Sequence, residues 1–365
     1  MQRYGGISRY FYEIIHAVNT RQGYETCLPI RISANHYLKK LPALTYRNFD
    51  HILKGLNWIV YKINRAYTIK NTARFSSDFD VFHPTYYDPY FLPYCLNKPF
   101  VLTIHDMIHD IFPEYFSMFS RISSNKRTLA RRASRIIAVS ENTKKDIVEQ
   151  YGICEDKITV IYHGVSFFPQ ENHINISVPE KYLLFVGDRH KYKNFLNFIK
   201  SIAAILSEKC WFLVCCGGGD FSGNEKLVMR DLKIDNKVIM FSGDDGVLAY
   251  LYRHARVFVC PSLYEGFGIP VLEAMSCGCP VASSNVGSLP EVGGDAVSYF
   301  DPYDMASMEG VVRRIIYDKK YRLDLIDRGL RQARHFSWDK AADETCGVYQ
   351  KALESKEVSS VRWAI

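Results

Sequence analysis

Short apolar runs and helix-period patterns alternate along the chain almost to its C-terminus, an alternation that predicts parallel β-sheets covered by helices. In the first half the runs Cys27–Ile32, Phe79–His83, Phe100–Ile104, Arg135–Val139 and Ile158–Tyr162 read as strands. In the second half they are Tyr182–Val186, Trp211–Cys216, Lys237–Phe241, Val257–Cys260, Pro280–Ala282 and Val297–Phe300. Helical spacing is plain at the start, where Ile7, Tyr10, Phe11, Ile14, Ile15 and Val18 share one face, and again from Ala341 to Leu353. Between the two strand sets, Gly164 to Glu180 carries Pro, Asn and Ser without periodicity and is the expected linker.

A length of 365 residues exceeds one ordinary core, so the expectation is α/β with two Rossmann-like doubly wound domains. These are residues 1–165 and 181–335, joined by 166–180. A helical segment, 336–365, is expected to pack back toward the first domain. A doubly wound domain ordinarily enters its first helix from a strand through a glycine turn. Gly5-Gly6 stand where that turn belongs, with only Met1 to Tyr4 before them. The expectation is therefore a misassigned start at Met1, a truncated chain, or a domain that does without the strand.

Composition narrows the class. The chain is 47% apolar and 23% charged, which is ordinary for a folded globular protein. No run approaches the roughly 18 uninterrupted apolar residues of a spanning helix, and no secretory pattern opens the chain, so a cytoplasmic protein is expected. The ten cysteines show no framework spacing and no CxxC pair, and read as small buried hydrophobes in a reducing compartment. Charge is uneven: residues 1–170 hold 22 Lys+Arg against 14 Asp+Glu, and the remainder 24 against 25. The excess includes Lys126, Arg127, Arg131, Arg132 and Arg135, and the run Trp58, Tyr61, Lys62, Arg65, Tyr67 and Lys70. Such patches suit an anionic membrane surface or a phosphorylated substrate, or are simply solvated helix faces. No recognition motif accompanies them, and nucleic acid is not an expected partner.

The segment Pro261 to Met275 carries the chemistry. It follows a buried strand, crosses the turn Glu265-Gly266-Phe267-Gly268-Ile269 and enters a helix whose first position is expected at Pro270. Glycines permit close backbone approach, and the unpaired amides of a helix start suit a diphosphate. Glu265 falls in the turn and Glu273 in the expected first helical turn, although a carboxylate there is also simply stabilising. The strand Tyr182–Val186 runs into Gly187-Asp188-Arg189-His190-Lys191-Tyr192-Lys193-Asn194, which places Arg189 and Lys193 at the carboxyl edge of a sheet. Basic loops are usually just solvated, but paired with the acidic glycine turn in one domain these cations fit a nucleoside diphosphate.

Taken together, the Glu-x7-Glu segment, the Gly-Asp-Arg…Lys-Asn loop and Cys277-Gly278-Cys279-Pro280-Val281 resemble the retaining glycosyltransferases of family four, which have the GT-B fold of two domains facing a cleft. Gly5-Gly6-Ile7-Ser8-Arg9-Tyr10 is similar to that family's N-terminal glycine loop, and Arg135 to Ser140 to its strand before the domain crossing. The resemblance implies Arg189 and Lys193 on the donor diphosphate, Glu273 on the ribose, and Glu265 with Gly266, Phe267, Gly268 and Ile269 on the sugar and phosphates. It implies Gly6 at a phosphate and His105 beside the reacting sugar. It also implies front-face displacement without a protein nucleophile, domain closure to align donor and acceptor, and no cofactor or metal. Phe82 to Tyr87, Thr103 to His109 and Phe112 to Tyr115 resemble the mannosyltransferases of O-antigen and capsule synthesis. That likeness implies GDP-mannose as nucleotide-sugar donor, a lipid-diphosphate-linked saccharide as acceptor, and peripheral contact with the cytoplasmic face of the inner membrane. The competing expectation is a truncated, inactive GT-B-like protein that binds nucleotide sugar or partners another transferase.

Overall fold

The computed structural model describes residues 5–28, 32–33, 37, 47–48, 57–74, 79–94, 98–166, 176–189, 191–208 and 210–361. The chain divides into two units: residues 1–111, 116–164 and 338–365 form unit 1, and residues 112–115 and 165–337 form unit 2. The boundary falls at Gly164/Val165, and residues 167–175 of the expected linker lie outside the described residues.

In unit 1 the strands β3 (Val101–Ile104), β4 (Arg135–Ala138) and β5 (Ile158–Val160) pair in parallel in chain order. The run Phe79–His83 contributes only a parallel bridge between Phe82 and Phe100, because its continuation turns away through Pro84. A separate parallel pair joins β1 (Ile32–Ser33) to β2 (Arg47–Asn48). Of the strand expected over Cys27–Ile32, Cys27 and Leu28 are not in a strand, Ile32 begins β1, and residues 29–31 lie outside the described residues.

Helix α1 (Gly6–Val18) buries Tyr10, Phe11, Ile14, Ala17 and Val18, the stripe its spacing predicts. That stripe meets Val101 and Ile137 of the sheet and Ala341, Ala342, Cys346, Val348 and Ala352 of the C-terminal helix Trp338–Val361. The small side chains at 341, 342 and 352 let the two helix backbones approach closely. Helices α2 (Asn57–Arg74) and α3 (Ile122–Arg132) complete the parts of unit 1 used below.

Unit 2 is one six-stranded parallel sheet of β6 (Tyr182–Val186), β7 (Phe212–Cys216), β8 (Val238–Phe241), β9 (Val257–Cys260), β10 (Val281–Ser284) and β11 (Ser298–Phe300), in the order β11-β10-β9-β6-β7-β8. Strands β6, β9 and β10 are buried over nearly their whole length, as expected of a sheet covered on both faces. Phe195, Phe198 and Ile199 of helix α4 (Phe195–Ser201) and Met308, Val312 and Ile315 pack against Leu183, Phe185, Leu213 and Val259. The chain first winds outward from β6 through β7 to β8, then returns to β9 on the other side of β6 and winds the opposite way. That reversal puts the topological switch point, the crevice position at which open α/β sheets bind ligands, at the carboxyl ends of β6 and β9.

Candidate functional site

The loops leaving β6 and β9 are joined directly by the Leu263 amide, which donates to the Tyr192 carbonyl at 2.7 Å. Across this junction Lys193 Nζ meets Glu265 Oε1 at 2.6 Å, and Ser262 Oγ donates to the same oxygen at 2.6 Å. Both charged side chains are sheltered, at 17% and 14% exposure, and the neighbouring carboxylate drives the Lys193 ammonium pKa up against the opposing effect of burial. The turn is fixed from behind. Ser284 Oγ donates to the Ser262 carbonyl, and Ser288 Oγ sits 2.8 Å from the carbonyls of both Glu265 and Phe267. Gly268 caps helix α5 (Ile269–Ser276) at φ 109°, where a Cβ would stand 2.9 Å from Leu289 Cδ2, so a side chain would be both strained and crowded. The amides of the α5 start therefore lie in the same turn as the Lys193–Glu265 pair.

Pro270 is the second residue of α5, and Glu273 stands in its second turn rather than its first. The simple account of Glu273 as a carboxylate stabilising a helix start weakens accordingly, since that effect fades beyond the first turn. Glu273 is 5% exposed, and the Tyr252 hydroxyl donates to its Oε2 at 3.4 Å. Burial and the Glu273 charge together hold the Tyr252 hydroxyl pKa well above its usual range.

Arg189 departs from expectation. Its side chain is 4% exposed and does not offer its charge to the crevice. Nε donates to Glu225 Oε1 at 2.8 Å, Nη1 to the Gly217 carbonyl, and Nη2 to those of Gly219 and Asp220. Glu225 Oε2 in turn accepts from the Ser222 amide as half of a capping box. Arg189 thus clamps the loop after β7, whose Gly217, Gly218 and Gly219 all have positive φ. A Cβ at Gly218 would sit 2.9 Å from the Arg189 guanidinium. The three consecutive glycines after a strand were the sequence signal for this loop.

In unit 1, His105 directly follows β3, with its amide donating to the Tyr87 hydroxyl at 2.9 Å. Its ring packs edge-on to Tyr10 at 4.9 Å and parallel to His163 at 6.0 Å, and its buried Nε2 has no hydrogen-bond partner among the described residues. His83 is fully engaged, Nδ1 with Tyr349 Oη at 2.8 Å and Nε2 with Thr103 Oγ1 at 2.9 Å. Desolvation lowers His105 to about 4 and His83 to about 3. His109 stacks on Phe116 at 3.8 Å and shares no site with His105. Gly6 is the first residue of α1, whose first turn carries no acidic side chain.

The basic run on α3 is not one surface. Lys126 is 0% exposed and donates to the Asp106 carbonyl at 2.8 Å and to Asp110 Oδ2 at 3.2 Å, so it ties down the loop that leaves His105. Arg121, Arg127, Arg131 and Arg132 are exposed. The side chains of Trp58 and Tyr61 lie outside the described residues. Among the described cysteines, Cys27, Cys154 and Cys210 are exposed rather than buried.

Residues 4–167 match the family described as Glycosyltransferase Family 4, and residues 168–332 match Glycosyl transferases group 1. The chain is 31% identical over 282 residues to the O-antigen chain mannosyltransferase B of Escherichia coli, covering 73% of this chain and 74% of that protein. It is 29% identical to the O-antigen chain mannosyltransferase RfbU of Salmonella typhimurium, over 59% of this chain and 60% of that protein. A sucrose-phosphate synthase from Thermosynechococcus elongatus superposes with a TM-score of 0.71 at 18% identity, over 96% of this chain and 94% of that one. The chain belongs to the family-four glycosyltransferases and has their GT-B fold.

The histidine cluster gives unit 1 a pH dependence of known sign. Histidines of the unfolded chain titrate near 6.5, so as pH falls from about 6.5 toward 4 the unfolded chain takes up protons that His83 and His105 refuse, and stability drops. The melting temperature of wild type is expected to fall more steeply from pH 7 to pH 4.5 than that of His105→Gln. Equal slopes would show that His105 is not held neutral by its surroundings.

Proposed function

We propose that this family-four glycosyltransferase moves mannose from GDP-mannose, with retention, onto a lipid-diphosphate-linked oligosaccharide of a surface polysaccharide. The observation that carries the donor half is the Lys193–Glu265 pair at the start of α5, at the strand-order reversal of unit 2. Mannose is favoured by the named activities of the Escherichia coli and Salmonella relatives.

In this reading Lys193 and the amides from Gly266 to Ile269 bind the donor diphosphate, and Glu265 accepts hydrogen bonds from the donor sugar. Glu273, buried in the second turn of α5, accepts from the ribose hydroxyls. Gly6 offers an amide at the unneutralised start of α1 to a phosphate oxygen. His105, neutral at physiological pH with Nε2 unpartnered among the described residues, serves a sugar hydroxyl as a hydrogen-bonding group and not as a cation. The acceptor oxygen bonds to the anomeric carbon as the bond from that carbon to the phosphate oxygen breaks. The acceptor's proton passes to the departing phosphate oxygen. No protein nucleophile is needed, and the catalytic contribution is stabilisation of charge growing on the diphosphate. Arg189, engaged with Glu225 and the carbonyls of Gly217, Gly219 and Asp220, holds the glycine loop beside this site.

Contact with an anionic membrane is part of the same reading. Met118 and Phe119 are 99% and 93% exposed, directly before the four exposed arginines of the α3 region, and no Asp or Glu occurs from Tyr115 to Ser140. Apolar tips beside a basic face suit an interfacial contact. Among the described residues no helix is long and apolar enough to cross a membrane.

Purified protein given a panel of nucleotide sugars should release GDP from GDP-mannose in the presence of a lipid-linked acceptor extract. Lys193→Ala and Glu265→Ala should each lower the rate by at least about 100-fold, the scale of losing one group that stabilises transition-state charge. Nucleotide binding without release from any donor would favour the inactive, binding-only alternative. Sedimentation with phosphatidylglycerol vesicles should fall several-fold in Met118→Ser/Phe119→Ser, and unchanged sedimentation would remove the membrane contact.

A further inference from the structure

Unit 1 contains a cavity of about 640 Å³ to which the donor reading assigns nothing. Arg65 reaches it from α2, Tyr86, Tyr87, Tyr90 and Tyr94 from the turn after the Phe82 bridge, and Arg121 and Asn125 from the start of α3. Its volume lies within the roughly 300–1,000 Å³ of small-ligand sites. We propose that this cavity seats a pyranose ring of the acceptor glycan, with Tyr87 relaying its position to His105. The inference rests on the acceptor half of the proposed function.

The lining chemistry selects the ligand class. A pyranose has C–H faces that lie against aromatic rings and a rim of hydroxyls that needs both donors and acceptors. Four tyrosines supply the rings, the guanidiniums of Arg65 and Arg121 supply donors, and the Asn125 amide supplies both. A purely apolar ligand would leave those polar groups unpaired. A bare phosphate would gain from the arginines but find the Asp88 carboxylate in the same wall and no use for the rings. Tyr86 is 50% exposed, a large ring left in solvent, set 5.2 Å from Tyr87 at an angle of 34°. Arg65 stands over the Tyr90 ring at 5.8 Å, so stem and ring form one continuous wall.

The connection to the reaction runs through Tyr87. Tyr87, 5% exposed, is part of the cavity wall, its hydroxyl accepts the His105 amide, and the buried Lys126 ammonium lies 5.2 Å from its ring centre while bonding the Asp106 carbonyl. A sugar seated against Tyr87 is therefore one side chain from His105. Tyr87 is a positioning residue, and its contribution should appear in the acceptor KM and in the registry of transfer.

The test is saturation-transfer difference NMR on the full chain without donor, using the methyl glycosides of α-(1→2)-, α-(1→3)- and α-(1→4)-mannobiose, with inorganic phosphate as a competitor. At least one disaccharide should receive saturation on its ring protons, phosphate should not displace it, and Tyr86→Ala and Arg121→Met should each weaken its binding at least ten-fold. Both residues are exposed, and unchanged melting temperatures check folding. Binding of no disaccharide, binding indifferent to both substitutions, or displacement by phosphate would each overturn the assignment. Acceptor-dependent GDP release, measured on the same preparation, separates that failure from a failure of the transferase reading.

Discussion

The Lys193–Glu265 ion pair is where the strand order, the loops and the chemistry of unit 2 converge. It forms because β6 and β9 are neighbours at the reversal of a parallel sheet, so the loops leaving them emerge side by side at the same edge. A pair this sheltered does little for the fold, since the desolvation of two charges offsets most of their attraction. Apolar replacements of such pairs are often neutral or stabilising by about 1–4 kcal/mol. Yet three serines and two loops are arranged to hold it, with Ser262 on the carboxylate and Ser284 and Ser288 on the turn backbone. That investment of hydrogen bonds in one turn makes sense as preorganisation for a charged ligand.

Unit 1 uses burial in the opposite way. Where unit 2 pairs the Lys193 ammonium with the Glu265 carboxylate, the cluster of His83, His105 and His163 about Tyr10 and Phe11 is kept neutral by desolvation. The neighbouring Lys126 ammonium is engaged by the carbonyl and carboxylates of the loop 106–110. Removing such a charge from its partners typically costs about 3–5 kcal/mol, which marks Lys126 as a structural post and not part of a basic surface. Under the proposed function the units divide the work by electrostatic character: charge for the donor diphosphate, neutral hydrogen bonding and aromatic surface for sugars.

Most strands were legible because a sheet buried on both faces demands continuous apolar runs, and Tyr182–Val186 or Val257–Cys260 can hardly be read otherwise. The turn at Glu265 to Gly268 was legible for the same local reason, glycines bracketing an acid before a helix. What escaped were roles set by tertiary partners. Arg189 reads as a free cation until Glu225 and the carbonyls after β7 are seen to claim it. Lys126 reads as one more base on an amphipathic helix until Asp110 appears, 16 residues back along the chain, at 3.2 Å. Phe79–His83 has strand composition, but the turn that follows it leaves room for one bridge. The tyrosine-lined cavity has no period or motif, because its walls come from three separated segments.

Calorimetric titration of GDP and GMP into wild type, Lys193→Met and Arg189→Met tests directly whether the Lys193–Glu265 pair seats a diphosphate. If Lys193 serves the diphosphate, Lys193→Met is expected to lose at least ten-fold in affinity for GDP and much less for GMP. Arg189→Met should instead lower the melting temperature by releasing the glycine loop, without that selective loss. If Lys193→Met bound both nucleotides as wild type does, the Lys193–Glu265 pair would not be the seat of the diphosphate, and the account of unit 2 would be wrong.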